Sequence, residues 1–127
     1  MAIAMTACSA DTADDEVAIA DVLHAMFDRP DATLDASPIV VSGEYAIADW
    51  TQGEMGGRAL LQRRERGWRL ILCAGDGLRT ARGLADLGVP SVDASALARK
   101  LAAAERDTPQ RRLAAMSRFD GVVRMDR

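Results

Sequence analysis

Residues 38–73 constrain the fold more than any other part of this chain. Four β-prone runs, 39–41, 45–50, 58–64 and 68–73, are cut by Ser42-Gly43-Glu44, by residues 51–57 and by Glu65-Arg66-Gly67. Parallel strands need a crossover of about a dozen residues or more, whereas connections this short close hairpins. The segment therefore predicts a four-stranded antiparallel meander. In its last run Trp68, Leu70 and Leu72 share one face by period two, and Arg69, Ile71 and Cys73 share the other. That alternation predicts one helix-covered face and one wetter face.

Helical signals flank the meander. Thr12 is a candidate N-cap with Asp15 three residues on, and Asp14, Asp15 and Glu16 crowd a first turn where the helix dipole favours anions. A helix is expected from near Ala13, with Ile19, Ala20, Leu23, Met26 and Phe27 as its buried stripe. Arg29-Pro30 ends it, because the residue before proline avoids the α region. After Cys73, the residues Leu78, Ala81, Leu84 and Ala85 form a second stripe closed by Gly88 and Pro90, and Asp76 is a candidate cap. Ser91 or Asp93 can cap a further helix carrying Ala94, Leu97, Ala98 and Leu101, and Thr108-Pro109 opens another with Leu113 and Met116 inward. The fold class is α+β: an N-terminal helix, a four-stranded antiparallel β-meander, then two to three C-terminal helices, in a single domain over 13–127. A cystatin-like curved sheet wrapped on a helix and other helix-on-meander arrangements both satisfy this order.

Composition narrows the function classes. Nearly half of the 127 residues are hydrophobic but only 4% are aromatic, which provides an aliphatic core and excludes an aromatic stacking platform. The net charge of −3 supplies no basic footprint for nucleic acid. Charge is also segregated. Residues 1–37 carry seven Asp and one Glu against Arg29, while the remainder carries 11 acidic and 15 basic side chains. An acidic first helix lying against a basic remainder is the expected outcome.

Two cysteines, Cys8 and Cys73, are too few for a disulfide scaffold. Small residues precede Cys8 and a polar acidic stretch follows it, as at a lipoprotein or secretory cleavage site. Residues 1–12 therefore read as a flexible N-terminus or the remnant of an export signal. The expected location is the periplasm, with membrane anchoring through this lipoprotein-like segment.

Chemistry could reside in several places. Cys73-Ala74-Gly75-Asp76-Gly77-Leu78-Arg79 sets a cysteine and an arginine five residues apart between a strand and a helix. The spacing resembles a tyrosine-phosphatase phosphate loop, in which a low-pKa thiolate attacks phosphorus and the arginine holds the phosphate oxygens. Asp76 would repel a dianion there, and a plainer account makes Cys73 a small strand-end residue. Six methionines, two cysteines and one histidine offer the soft donors that select Cu(I). Met55, in the polar turn Gln52-Gly53-Glu54-Met55-Gly56-Gly57, is either a ligand or an inward-tucked loop residue. His24 and Met26 point to different faces of one helix, and His24 lies between Asp21 and Asp28 at helical spacing, which fits charge pairing. No zinc spacing occurs. Arg63, Arg64, Arg66 and Arg69 form a basic cluster that reads as a solvated face or as a dock for an acidic partner.

Four stretches carry a family resemblance: Phe27-Asp28-Arg29-Pro30-Asp31-Ala32; residues 40–61, with Trp50-Thr51-Gln52-Gly53-Glu54-Met55-Gly56-Gly57 their most specific part; residues 70–78; and Phe119-Asp120-Gly121-Val122-Val123-Arg124-Met125-Asp126. Together they resemble the bacterial copper uptake system-associated proteins, small exported proteins encoded beside copper import genes and often ending in a histidine-rich tail. Here the tail carries Met125 as its soft group in place of histidines. The resemblance implies an exported, non-enzymatic accessory of copper uptake. It would bind Cu(I) or assist a copper uptake transporter or periplasmic copper chaperone, as a monomer or homodimer. Candidate ligands are Met55, Cys73, Met125 and His24. Two alternatives stand beside this one: a metal-free partner-binding adaptor using the arginine-rich hairpin or the Met55 turn, and a Cys-dependent phosphatase or arsenate-reductase-like enzyme using Cys73 and Arg79.

Overall fold

The protein is described by a computed structural model covering residues 4–125, with side chains from residue 13 onward. Cys8 and the export-signal reading of residues 1–12 rest on side chains outside the described ones. Helix α1 (Ala4–Phe27) starts before the expected Ala13, so Thr12 lies within it rather than at its cap. It is followed by β1 (Asp35–Ser42), β2 (Tyr45–Gln52), β3 (Met55–Arg64) and β4 (Gly67–Ala74). These strands pair in chain order as the antiparallel meander the spacing predicts, through two-residue turns at Gly43-Glu44, Gly53-Glu54 and Glu65-Arg66.

The C-terminal part departs from expectation in three places. Residues 76–79 form a single 3-10 turn, and α2 (Ala81–Asp86) is capped by Thr80, whose hydroxyl accepts from the Gly83 amide at 3.0 Å, rather than by Asp76. Helix α2 ends as predicted at Gly88, whose positive φ lets the chain turn back so that the Val89 amide reaches the Leu84 carbonyl. Helices α3 (Ser91–Glu105) and α4 (Gln110–Ser117) follow, each entered through a proline and without a side-chain cap. The tail then adds a fifth strand, β5 (Val123–Arg124), on the outer edge of β4, so the sheet has five strands rather than four.

Two hydrophobic layers sandwich the sheet. On one face Ile19 and Leu23 of α1 pack with Leu34, Ala46, Ala48, Trp50, Ala59, Leu61, Trp68, Leu70 and Cys73. On the other, α2 and α3 bring Leu84, Ala94, Leu97 and Leu101 onto Ile47, Leu60, Ile71, Leu72 and Ala74. Strict alternation along β4 would have put Leu72 beside Trp68 and Cys73 opposite. A β-bulge changes this: Leu60 pairs with Leu72 while the next residue, Leu61, pairs with Leu70, leaving Ile71 as the extra residue. One inserted residue reverses every later side chain, so Cys73 joins the α1 layer and Leu72 joins the other. No wet face remains.

The same sandwich limits the predicted attraction between the acidic start and the basic remainder. Since α1 and the C-terminal helices lie on opposite sides of the sheet, α1 meets the basic part at the β3–β4 hairpin. There Asp15 accepts from Arg63 at 2.6 Å and from the Trp68 indole at 3.3 Å, and the Arg63 guanidinium sits 4.6 Å from the centre of the Trp68 ring. Among the described residues no helix is long and apolar enough to cross a membrane.

Candidate functional site

Two of the four candidate soft ligands lie in the same hydrophobic layer. Cys73 lies opposite Ala59 on β3 and opposite Val123 on β5, and the Met125 amide donates to the Ile71 carbonyl at 2.7 Å. Met125 packs on the hydrophobic cluster that contains Cys73, Trp50 and Phe119. Trp50 and Phe119 meet edge to face, with ring centres 6.0 Å apart. They close over Gly57, where a Cβ would come within 2.8 Å of both rings, so only glycine lets them sit this low on the sheet. The thiol is 2% exposed. Burial pushes its pKa up to about 11, and the nearby Trp50 indole N–H, which is not aligned for a full hydrogen bond, tempers the rise.

The other two candidates stand apart. Met55 is not in the turn but opens β3 opposite Gln52, and it is 66% exposed. It shares a sheet face with Ala59 and hence with Cys73, but four residues separate Met55 from Ala59, about 13 Å along a strand, and Trp50 and Phe119 fill the space over Gly57 between them. His24 is tied within α1, its Nδ1 2.9 Å from Asp28 Oδ2. Asp28 also accepts from the Leu34 amide at 2.8 Å, and this bond, with His24 adding to it, holds its carboxyl below the usual range. His24 is therefore the charge-paired helix residue that its spacing allowed.

The Cys73-to-Arg79 segment does not form a phosphate cradle around a thiolate. Cys73 points into the α1 layer with a raised pKa, while Arg79 Nε lies 3.5 Å from Glu105 Oε1 on the other side of the sheet.

That side holds a group of charges which the sequence reading did not single out. Asp49 on β2 and Arg58 on β3 are direct cross-strand partners, and both are fully buried. Arg58 donates through Nε and Nη2 to the two carboxylate oxygens of Glu105, at 2.9 and 3.1 Å, and through Nη1 to Asp76 Oδ1 at 3.2 Å. Asp76 Oδ1 also accepts from Ser117 Oγ at 2.7 Å. Neither oxygen of Asp49 meets a hydrogen-bond donor; its closest cation contact is Arg58 Nε at 3.6 Å. Desolvation, reinforced by the nearby Glu105 carboxylate, raises the Asp49 pKa to about 9. Burial works to raise the Glu105 pKa, but Asp49 and the Arg58 guanidinium beside it hold it below its usual value. Beside this group is a cavity of about 330 Å³ lined by Arg58, Arg79, Gln110, Leu113, Ala114 and Ser117.

No protein-family model, curated protein or solved structure matches this chain. Chemically, the two sides differ. The α1 side offers a buried thiol, a thioether and an indole, which is a soft, apolar donor set. The opposite side offers two guanidinium groups and three carboxyls, a hard and polar set. Among the described residues no three His, Cys, Asp or Glu side chains converge as a metal-binding group. Two sequence signals pointed to the polar set. Asp49 interrupts an otherwise apolar run between Ala48 and Trp50, and Glu105 continues the buried stripe Ala94, Leu97, Leu101 by the 3-and-4 spacing.

Proposed function

We propose that this chain is an accessory protein of copper handling, binding Cu(I) without catalytic turnover, with Cys73 and Met125 as its soft donors. The observation that supports this reading is the pairing of β5 with β4, which brings Met125 onto the cluster that buries Cys73. A bare thiolate is costly in that apolar surrounding, but a thiolate bound to Cu(I) is neutral overall, so metal binding relieves the desolvation that otherwise keeps the thiol protonated. Met55 and His24 have no place in the donor pair. On this reading the protein is exported, and copper is its cargo, received from or passed to a copper uptake transporter or a periplasmic copper chaperone.

The test is a titration of the full chain with Cu(I) against a chromophoric chelator under reducing, anaerobic conditions. One equivalent of Cu(I) should be withdrawn from the chelator. This should be lost in Cys73→Ala, weakened in Met125→Leu and unchanged in His24→Gln. Failure of the wild-type chain to compete would overturn the reading.

A second reading, a metal-free adaptor, has its own support. Met55 projects beside a groove of about 320 Å³ whose lining includes Glu54, Ala115, Arg118 and Phe119, which suits an anchor for a partner protein. The two readings separate at Met55: the copper reading leaves Cu(I) affinity unchanged in Met55→Leu, whereas the adaptor reading has no Cu(I) affinity to change.

A further inference from the structure

Two guanidinium groups and two carboxylates, those of Arg58, Arg79, Glu105 and Asp76, meet at the cavity beneath α4. Arg58 and Glu105 are buried and paired with one another, whereas Arg79 is half exposed and reaches Glu105 from the cavity. Asp76 adds a second, exposed carboxylate to Arg58, and its geometry is that of a ligand more than of a core residue. Its side chain is 59% exposed, it belongs to a single 3-10 turn, and it caps no helix. One of its oxygens bridges Arg58 Nη1 and Ser117 Oγ, both from cavity-lining residues. Arg79, 51% exposed, makes one ion-pair contact, at 3.5 Å, and Gln110 offers a further side-chain amide at the same cavity.

We propose that this cavity is a binding site for a small oxyanion, a phosphate or a carboxylate, and that Asp76 is a tethered carboxylate that occupies its outer edge in the free protein. An incoming oxyanion takes over the Arg58 Nη1 and Ser117 Oγ donors, draws in Arg79, and releases Asp76 to water, where a half-exposed carboxylate loses little. Arg79 can present paired N–H donors to a planar or tetrahedral oxyanion, which a lysine could not do, while Arg58 offers Nη1. Glu105 stays with Arg58 Nε and Nη2, holding the guanidinium plane in place. The site is independent of the soft donor set across the sheet.

The experiment uses the full chain without copper, titrated with inorganic phosphate and, separately, with succinate, following backbone amide shifts by NMR. Shifts should centre on Arg79, Leu113, Ala114 and Ser117. Removing the internal competitor in Asp76→Ala should tighten binding at least tenfold, and Arg79→Ala should weaken it at least fivefold. Saturation by phosphate alone or succinate alone identifies the oxyanion class. Should Asp76→Ala fail to fold, the wild-type chain against Arg79→Ala decides alone. Equal affinity in those two, no binding in a folded Asp76→Ala, or shifts confined to Arg111, Arg112 and Arg118 on the other side of α4 would overturn the proposal.

Discussion

Replacing Asp49 by asparagine should make this protein more stable, by an amount that grows with pH. In the folded chain the Asp49 pKa is near 9 against 3.8 for an ordinary aspartate, so the native state binds one more proton than the unfolded state across that window. A raised carboxyl pKa means stability that is fully present below about 3.8 and is lost as pH rises through about 9. At pH 7 the wild-type chain must take up a proton against 3.2 pH units, and at about 1.36 kcal/mol per unit this costs about 4 kcal/mol. At pH 5 the same arithmetic gives about 2 kcal/mol. Asparagine has nearly the shape of the protonated acid and takes up no proton on folding.

Urea unfolding of the wild-type chain and Asp49→Asn at pH 5, 6, 7 and 8 measures this directly. The stability difference in favour of Asp49→Asn should widen by about 1.4 kcal/mol per pH unit, less a constant for any poorer fit of the amide. Glu105 acts in the opposite sense: its depressed pKa contributes stability lost only as pH falls below the ordinary carboxylate range, so it leaves this window unaffected. A difference that stays constant with pH would refute the reasoning and make Asp49 an ionised partner of Arg58.

Two further outcomes follow from the α1 side of the sheet. With its pKa near 11, Cys73 should be thiolate in only about one molecule in a thousand at pH 8, so its reaction with an aromatic disulfide reagent should be far slower in the native chain than in urea. Comparable rates in both would mean that the thiol is open to solvent. Gly57→Ala should lower stability by about 1–3 kcal/mol in thermal or urea melts, because the added methyl meets the rings of Trp50 and Phe119 at 2.8 Å; an unchanged midpoint would show that the rings can move aside.

The amino-acid sequence by itself determined the element order and the pairing of the meander. Those features are local: three short turns leave β1 to β4 no choice but antiparallel neighbours, and the Gly88 stop and the stripe of α3 are set by residues within one or two helical turns. It also marked Met55 and Cys73 as unusual. What it could not determine was which side chains meet. The bulge at Ile71 reverses Cys73, because a single extra residue in a pairing of period two changes the face of everything after it, and no local signal announces it. The fifth strand exists because the tail finds the free edge of β4, and with it Met125 reaches the Cys73 layer. Asp49, Arg58 and Glu105 come from two strands and the end of a helix, up to 56 residues apart (105 − 49); the pattern hints that Asp49 and Glu105 are buried but not that they meet each other and Arg58. Only burial in a common low-dielectric space turns them into one electrostatically coupled group, and burial belongs to the packed structure, not to any stretch of chain.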